Sequence, residues 1–336
     1  MSVQTSRYAS DALPGETVDV VVIGAGPAGL NGALMLARSR RAVVVIDSGT
    51  PRNAPAEAMH GFIVLDGTPP AELLRRGREQ VRRYGGRIVF GEVTSAEPAA
   101  PAADGDLRFM VTLADGGTVT ARRVLVATGL RDVLPDVPGL ARHWGHGVVH
   151  CPYCHGWEVR DEPIGILAAG PATIHHALLY RQLTDDLVYF THGTDLDENT
   201  RARFAARDIR IIDTPVREVM TSEDGGIAGV RLTDGTVVAR RVLAVATRMQ
   251  ARTEGLSGLK LPMEDLPDNM GRRFASGMAG TTEVPGVWVA GNATDLTAQV
   301  GASAAAGALA GSHINALLAT ADTDAALAAA RIGTTV

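Results

Sequence analysis

"VDVVVIGAGPAGLNGALMLARSRRAVVVID", residues 18–47, reads as a buried strand, a glycine turn, a helix and a second strand. Its glycines Gly24, Gly26 and Gly29 fit G-x-G-x-x-G. In that spacing the first glycine permits the tight turn, the second lets backbone approach a pyrophosphate, and the third allows the helix to pack closely on the strand. The helix opens at this turn with Pro27 and Ala28, so its unpaired N–H groups and positive dipole end face the phosphates. Asp47 closes the second strand, where a carboxylate accepts from a ribose hydroxyl and repels a 2′-phosphate. The segment is expected to hold a dinucleotide, and the motif serves FAD and NAD alike.

Outward from this unit, a helical stretch near 70–84 precedes two alternating segments, 86–98 and 107–130, with "ADGG" as a hairpin turn. "RDVLPDVPGL", 131–140, reads as a linker. A second strand, turn and helix follow at 163–183, then a strand in "DDLVYFTHG", and the hairpin 227–247 repeats the layout of 107–128. "RMQARTEGLSG", near 250, is a candidate return linker, and 284–319 is strand, glycine turn and a long small-residue helix that completes the first unit. The expected class is α/β, with two Rossmann-like units in a three-layer ββα arrangement, each carrying an inserted β-hairpin or meander. One unit spans 16–131 plus 260–325, and the other spans 132–259.

A chain of 336 residues, 46% apolar and 21% charged, suits two globular domains of ordinary size. The net charge of -5 with scattered Lys and Arg supplies no basic stripe, so nucleic acid is not an expected partner. No apolar run reaches the ~20 residues of a membrane span. The polar start "MSVQTSRYASDALPGET" lacks the charged beginning and apolar middle of a secretory signal, which places the protein in the cytoplasm.

The only two cysteines lie in "HCPYCHGWEV", 150–159. Structural zinc is one reading, given His143, His146, His150 and His155 nearby, but the spacing fits no common zinc template and no metal is expected. A permanent disulfide is disfavoured in a reducing compartment, which leaves redox cycling. Pro152 suits a first helical position, making Cys151 the cap and Cys154 one turn inside. Cys151 is then the more acidic, exposed sulfur that exchanges with substrate, and Cys154 faces inward. His155 is the candidate acid–base, Glu158 lies on its helical face to orient it, and His150 is a lesser candidate. Tyr153, Trp157 and Trp144 form either an apolar substrate wall or core packing.

Nearly the whole chain resembles the low-molecular-weight thioredoxin reductase family of flavoproteins. "VIGAGPAGL", "RNAPAEAMHGF" at 52–62, "ATG" at 127–129, "CPYC" and "VWVAGNATDLTAQV" at 287–300 carry the resemblance. It implies FAD, with phosphates at Gly24–Gly29, ribose at Asp47, and backbone contacts at Ala127, Thr128 and Gly129. The flavin end falls at Gly291, Asn292, Gln299 and Val300, and Ser48, Arg52, Asn53, His60 and Val93 complete the cofactor surface. This chain has Asn292 where the family usually has Asp, and His155 where Asp is common. Its second glycine turn holds Ala168, Gly170 and Thr173, and the strand after it leads to His192, Asp195, Asp197 and Glu198 rather than to arginines. These departures look most like the dithiol oxidases that close disulfides in dithiolopyrrolones (holomycin type) and epidithiodiketopiperazines (gliotoxin type). Such a resemblance implies a small-molecule dithiol substrate, oxygen as acceptor, hydrogen peroxide and a homodimer. An NADPH-dependent thioredoxin-disulfide reductase and a non-catalytic redox sensor are the alternatives.

Overall fold

The computed structural model describes residues 10–103 and 105–333; the polar stretch 1–9 lies outside them. β1 (Val18–Ile23) is a valine-rich run buried at all but one residue, as a strand covered on both faces requires. It leads through Gly24 into α1 (Pro27–Arg38) and then β2 (Val43–Asp47), which pairs with β1 in parallel. α2 (Pro70–Arg83) connects to β3 (Arg87–Phe90), parallel to β2. β4 (Val93–Ala99), β5 (Arg108–Leu113) and β6 (Thr118–Val126) then form an antiparallel meander. β6 serves two purposes: its first half pairs with β5 and its second half runs parallel to β1. Among the described residues this sheet has seven strands, ordered β3-β2-β1-β6-β5-β4, with a late strand also on β6.

Residues 131–140 are not wholly a linker, because β7 (Leu130–Val133) pairs antiparallel with a strand from the return segment. β8 (Val148–Val149) and the one-turn α3 (Pro152–His155) follow, then β9 (Ile164–Leu167), α4 (Ala172–Tyr180), β10 (Leu187–Phe190), α5 (Glu198–Ala205) and β11 (Arg210–Ile212). β12 (Val216–Thr221), β13 (Ile227–Leu232) and β14 (Val237–Val238) make a three-stranded antiparallel sheet. β15 (Val242–Val245) completes a parallel sheet ordered β11-β10-β9-β15-β8. The second hairpin therefore differs from the first: β14 and β15 belong to separate sheets, where β6 is one continuous strand.

β16 (Arg248–Ala251), from the expected return linker, pairs with β7 with Gln250 opposite Arg131. β17 (Met263–Asp265) and β18 (Gly271–Phe274) extend these two into a four-stranded sheet. Each crossing segment thus satisfies the other's backbone groups, which an isolated linker leaves to water. β19 (Val287–Val289) returns to β6, and α6 (Val300–Gly333) runs well past the expected end near 319. Its Gly307 and Gly311 let it lie directly on the α1 backbone at Ala28 and Gly32.

In each unit a parallel sheet separates helices from an antiparallel layer. Val20, Val22 and Leu36 pack with Ile314 on the helical side of the first sheet, and Val21, Val111 and Val119 on the other. In the second unit Ala177, Tyr180 and Phe204 cover one face, and Val219, Ile227 and Val230 cover the other. This is the three-layer α/β arrangement expected from the sequence.

A Cβ at Gly29 would overlap the Gly24 carbonyl, and one at Gly24 (φ 105°) would meet the Ala127 carbonyl. Gly29→Ala is expected to push α1 off the turn at a cost of about 1–3 kcal/mol. Urea unfolding checks this; a wild-type unfolding midpoint would contradict it.

Candidate active site

β1, β6 and β19 end together, and the β1 turn, the β2 end and the 127–129 loop open there onto one cavity of about 530 Å³. β8 of the second sheet ends at the same cavity, since Cys151 and Cys154 lie on its wall. Crevices beyond the carboxyl ends of parallel strands are where such sheets bind ligands.

On the first-unit side the wall is made by Gly24, Gly26, Pro27, Ala28, Asp47 and Ser48. Asn53, Ala127, Thr128, Gly129, Asn292, Gln299 and Val300 continue it. Gly29 and Gly291 are not on the wall. Gly29 sets the helix approach, and a side chain at Gly291 would collide with Ala28. Val93 is not on it either, because it starts the meander and packs against the core there. The Asp47 carboxylate takes the Gly49 N–H (3.0 Å) and pairs with Arg78 (3.3 Å), which uses part of its accepting capacity. Asn292 donates through Nδ2 to the carbonyls of Asp295 (2.9 Å), Leu296 (3.3 Å) and Ala298 (2.8 Å), leaving Oδ1 as the group free to accept. An aspartate cannot make those donations, which is a physical reason for the amide here.

Arg52 and His60 line the cavity with their polar groups already engaged. The Arg52 fork is bidentate on Asp132, 2.7 Å for both bonds, and His60 turns Nδ1 to Asp66 and Nε2 to Glu158, each at 3.4 Å. Arg252 was not singled out in the sequence. It lines the cavity, its Nη1 donates to Thr50 Oγ1 (2.9 Å), and its Nε is buried without a hydrogen-bond partner. Burial lowers its affinity for its proton, opposed by the carboxylates of Glu254 and Asp47. A guanidinium with an unmatched N–H on the wall of the cavity onto which the glycine turn opens fits an anionic diphosphate. Nothing lies within 4 Å of where a Gly26 Cβ would stand, so backbone there can be approached closely. The residues present fit FAD.

Cys151 and Cys154 form a disulfide with Cα atoms 5.2 Å apart. Pro152 occupies the first turn of α3 and Cys151 its cap, as the spacing predicts. Both cysteines are half-buried, so exposure does not rank them. α3 ends at His155 after a single turn, so Glu158 does not share a helical face with His155. It lies in the turn beyond, against His60, and reaches His155 only through its charge. His155 is on the cavity wall; its Nε2 is buried with no partner, whereas its Nδ1 is not sealed in this way. Burial, and secondarily the charge of His60, lower its proton affinity, while Glu158 opposes them. Trp144 and Tyr153 line the cavity, but Trp157 does not; it is 66% exposed, with the Arg160 guanidinium 4.2 Å from its ring centre.

Two histidines missed in the sequence, His175 and His176 of α4, also line the cavity. His176 falls on the stripe Thr173, Ala177, Tyr180 that α4 buries, and that helical spacing is the signal that would have found it. Its ring meets the His150 ring edge-on at 5.3 Å, and burial holds its pKa down to about 4. His143 is instead buried against Thr221 (2.9 Å), and among the described residues no three His, Cys, Asp or Glu side chains converge on a metal position. No helix among them is long and apolar enough to cross a membrane.

The second glycine turn is partly engaged by the chain itself. Thr173 is fully buried and its hydroxyl accepts the Ala169 N–H (3.2 Å), one of the amides such a turn offers to phosphate. The Asp268 carbonyl would lie 3.7 Å from a Cβ at Gly170, so an acceptor faces the one open position. His192 Nδ1 accepts from the Val216 N–H (3.1 Å), and Asp197 caps α5 through the Thr200 N–H (2.6 Å).

Residues 18–310 match the model of the pyridine nucleotide-disulphide oxidoreductase family. The chain belongs to that family. Within it the chain is similar to thioredoxin reductases: "Thioredoxin reductase tcpT" of Claviceps purpurea is 34% identical, covering 82% of this chain and 86% of that protein. "Thioredoxin reductase sirT" of Leptosphaeria maculans is 32% identical over 88% and 93%. Among solved structures, HlmI is 43% identical with a TM-score of 0.88, covering 96% of this chain and 99% of that one. An oxidoreductase from Agrobacterium tumefaciens is 32% identical with a TM-score of 0.82, covering 91% and 99%. This oxidoreductase is accordingly flavin-dependent, with FAD as its cofactor.

His176 gives a stability prediction. Its folded pKa lies below the unfolded value of about 6.5. Below pH 6.5 the unfolded chain takes up the proton more readily, so stability is greatest above that pH and declines as pH falls towards about 4. His176→Phe is expected to flatten this decline, read by urea unfolding at pH 7 and pH 5. Equal declines in both proteins would rule His176 out as the cause.

Proposed function

We propose that this flavoenzyme oxidises a small-molecule dithiol to its intramolecular disulfide, with oxygen as final acceptor and hydrogen peroxide as product, in the cytoplasm and as a homodimer. The observation that carries the reading is the contrast between the two glycine turns. The first is open to the cavity, and the second has its amide taken by Thr173 and its entrance faced by the Asp268 carbonyl. A nicotinamide donor needs the second turn, whereas a dithiol needs only the disulfide on the cavity wall.

Chemistry follows from the chain's own residues. His155, kept neutral by burial, takes a proton from one substrate thiol. The thiolate attacks Cys151 Sγ, the Cys151–Cys154 bond breaks, and Cys154 leaves as thiolate. The second substrate thiolate attacks the substrate sulfur bound to Cys151, which expels Cys151 and closes the product disulfide. Two electrons and two protons have then passed from substrate to the enzyme side. FAD, when bound, accepts the electron pair as the cysteines re-form their bond. Gly24, Gly26 and Thr128 would hold its diphosphate end, and Asn292, Gln299 and Val300 its ring end. Glu158 biases His155 through charge, and His60 ties Glu158 to the first unit. Trp144 and Tyr153 supply apolar surface beside the disulfide. Leu309 and Leu317, exposed on α6, are apolar surface available to a second copy.

The names of the fungal relatives favour a second reading, an NADPH-dependent thioredoxin-disulfide reductase. Mixing the holoenzyme with NADPH without oxygen separates the two: the yellow flavin is expected to persist, and to bleach only when a dithiol is added. Bleaching by NADPH at a catalytically competent rate would overturn the proposal. Cys151→Ser is expected to abolish peroxide formation, and His155→Ala to lower kcat/KM for the dithiol by ~100-fold. Because His155's proton affinity is depressed, the wild-type acid limb should lie below pH ~6.5; a limb unchanged by His155→Ala would remove that residue from the mechanism.

A further inference from the structure

Arg252 is a half-buried cation with no carboxylate paired to it among the described residues. The side-chain hydrogen bond it makes there runs from Nη1 to Thr50 Oγ1 (2.9 Å), while Nε is sealed from solvent with no partner. The carboxylates whose charge it feels are committed elsewhere, Asp47 to Arg78 (3.3 Å) and the Gly49 N–H (3.0 Å), and Glu254 to Arg131 (2.7 Å). We propose that FAD fastens the crossing between the two units through Arg252: a cofactor phosphate is the counter-ion this guanidinium lacks, and the two crossing strands hold at full strength only while that phosphate is in place. A dithiol oxidase and a disulfide reductase would need this fastening alike, so it stands apart from the choice between them.

Position decides which segments are joined. Arg252 follows β16 directly. Its N–H donates to the Gly129 carbonyl (3.0 Å) and its own carbonyl accepts from Thr128 Oγ1 (2.8 Å), so the backbone is laid along the 127–129 loop of the cofactor wall. Gly255 (φ 72°) then passes so close to Val93 that a Cβ would stand 2.3 Å from its carbonyl oxygen, and Leu256 and Leu259 are buried in the first core. The stem is thus held before any ligand arrives, and little ordering entropy opposes binding. Thr50, which receives Nη1, meets the Ser48 hydroxyl at 3.0 Å just past the acid that ends β2. The guanidinium therefore spans two loops of the cofactor wall, one after β2 and one after β6.

Charge supplies the coupling. Arg131 of β7 stands opposite Gln250 of β16, and its charge disfavours the Arg252 cation while Glu254 favours it. Two guanidiniums, one from each crossing segment, thus lie in the field of one carboxylate, and the half-buried one also bears a desolvation cost. Without FAD, the like charges and the stranded guanidinium work against the pairing of β7 with β16. A cofactor phosphate reverses that balance, because the planar fork of a guanidinium suits phosphate oxygens. The upstream end of β16 has its own fastening: Thr247 Oγ1 donates to Asp132 Oδ1 (2.7 Å), and the Arg52 fork grips Asp132.

Two readouts, neither of them turnover, test this in wild type and in Arg252→Met, which keeps the stem and drops the charge. The first is the rate at which the holoenzyme releases FAD on dilution, followed by free-flavin fluorescence at low and high KCl. Release from Arg252→Met is expected to be ~10–100-fold faster at low salt, and to depend less on salt than in wild type. The second is hydrogen exchange at the amides of 131–133 and 248–252, with FAD bound and after its removal. In wild type, removal is expected to speed exchange there ~10-fold, whereas in Arg252→Met, which strands no cation, the difference should largely vanish with exchange staying slow. A wild-type release rate or an undiminished exchange difference in Arg252→Met overturns the proposal. Fast exchange in both states of that variant marks a purely structural arginine and overturns it too. If Arg252→Met does not fold, Arg252→Lys decides, since a point charge cannot fork: release faster than wild type supports the fastening, and release at the wild-type rate and salt dependence overturns it.

Discussion

The antiparallel pairing of β7 with β16 is the constraint on which the rest of the site depends. The chain leaves the first sheet along one of these strands and returns along the other, and each fills the other's backbone hydrogen bonds. Asp132 on β7 and Met249 on β16 then face the same cavity, with Arg252 just beyond. Because the crossing is a ladder and not a pair of loose tethers, the carboxyl ends of both parallel sheets open onto one space. Arg52–Asp132 ties the first unit to this crossing, and His60–Glu158 ties it to the turn after the cysteine helix.

What the sequence made legible was short in range. The glycine turn, the acid ending β2 and the proline-capped cysteine pair each specify their geometry within a few residues, so spacing alone carries them. Errors arose where a contact joins distant segments. Residues 131–140 and 248–258 look like linkers because each is prolyl or polar by itself, and only their mutual pairing makes strands of 130–133 and 248–251. Glu158 was placed on a helix that stops at His155, one turn after it begins. Arg52 lines the cavity as expected from the sequence, but its carboxylate partner, 80 residues away, could not be read there. His175, His176 and Arg252 belong to no motif; they gain meaning only from the wall they share.

The two glycine turns of this chain differ at their third position. Around Gly24–Gly29 the third position is bare and the helix seats against the turn. Around Ala168–Thr173 the third position carries a hydroxyl within reach of the turn's own amide, so an internal bond replaces the one a phosphate would make. Thr173 is fully buried there, so the turn's packing does not depend on a ligand. The edge strand of the second sheet, β8, leads directly into the cysteine pair.

Burying histidines around a disulfide has opposite effects on two requirements. A base must be unprotonated to act, and desolvation secures that by disfavouring the cation. The same desolvation weakens the base against a thiol whose own pKa is near 8.5. The balance favours burial when the proton is held only briefly, because each proton taken from substrate is due back at a cysteine thiolate a few bonds away. A strongly basic surface histidine would keep that proton and leave the thiolate waiting. Asp132 beside His150 and Glu158 beside His155 temper the effect, each offsetting part of the desolvation without the direct contact that would fix a permanent cation. Under the proposed dithiol reaction, the half-buried imidazole of His155, with the Glu158 carboxylate at one remove, suits transient storage of a proton beside the sulfur bond.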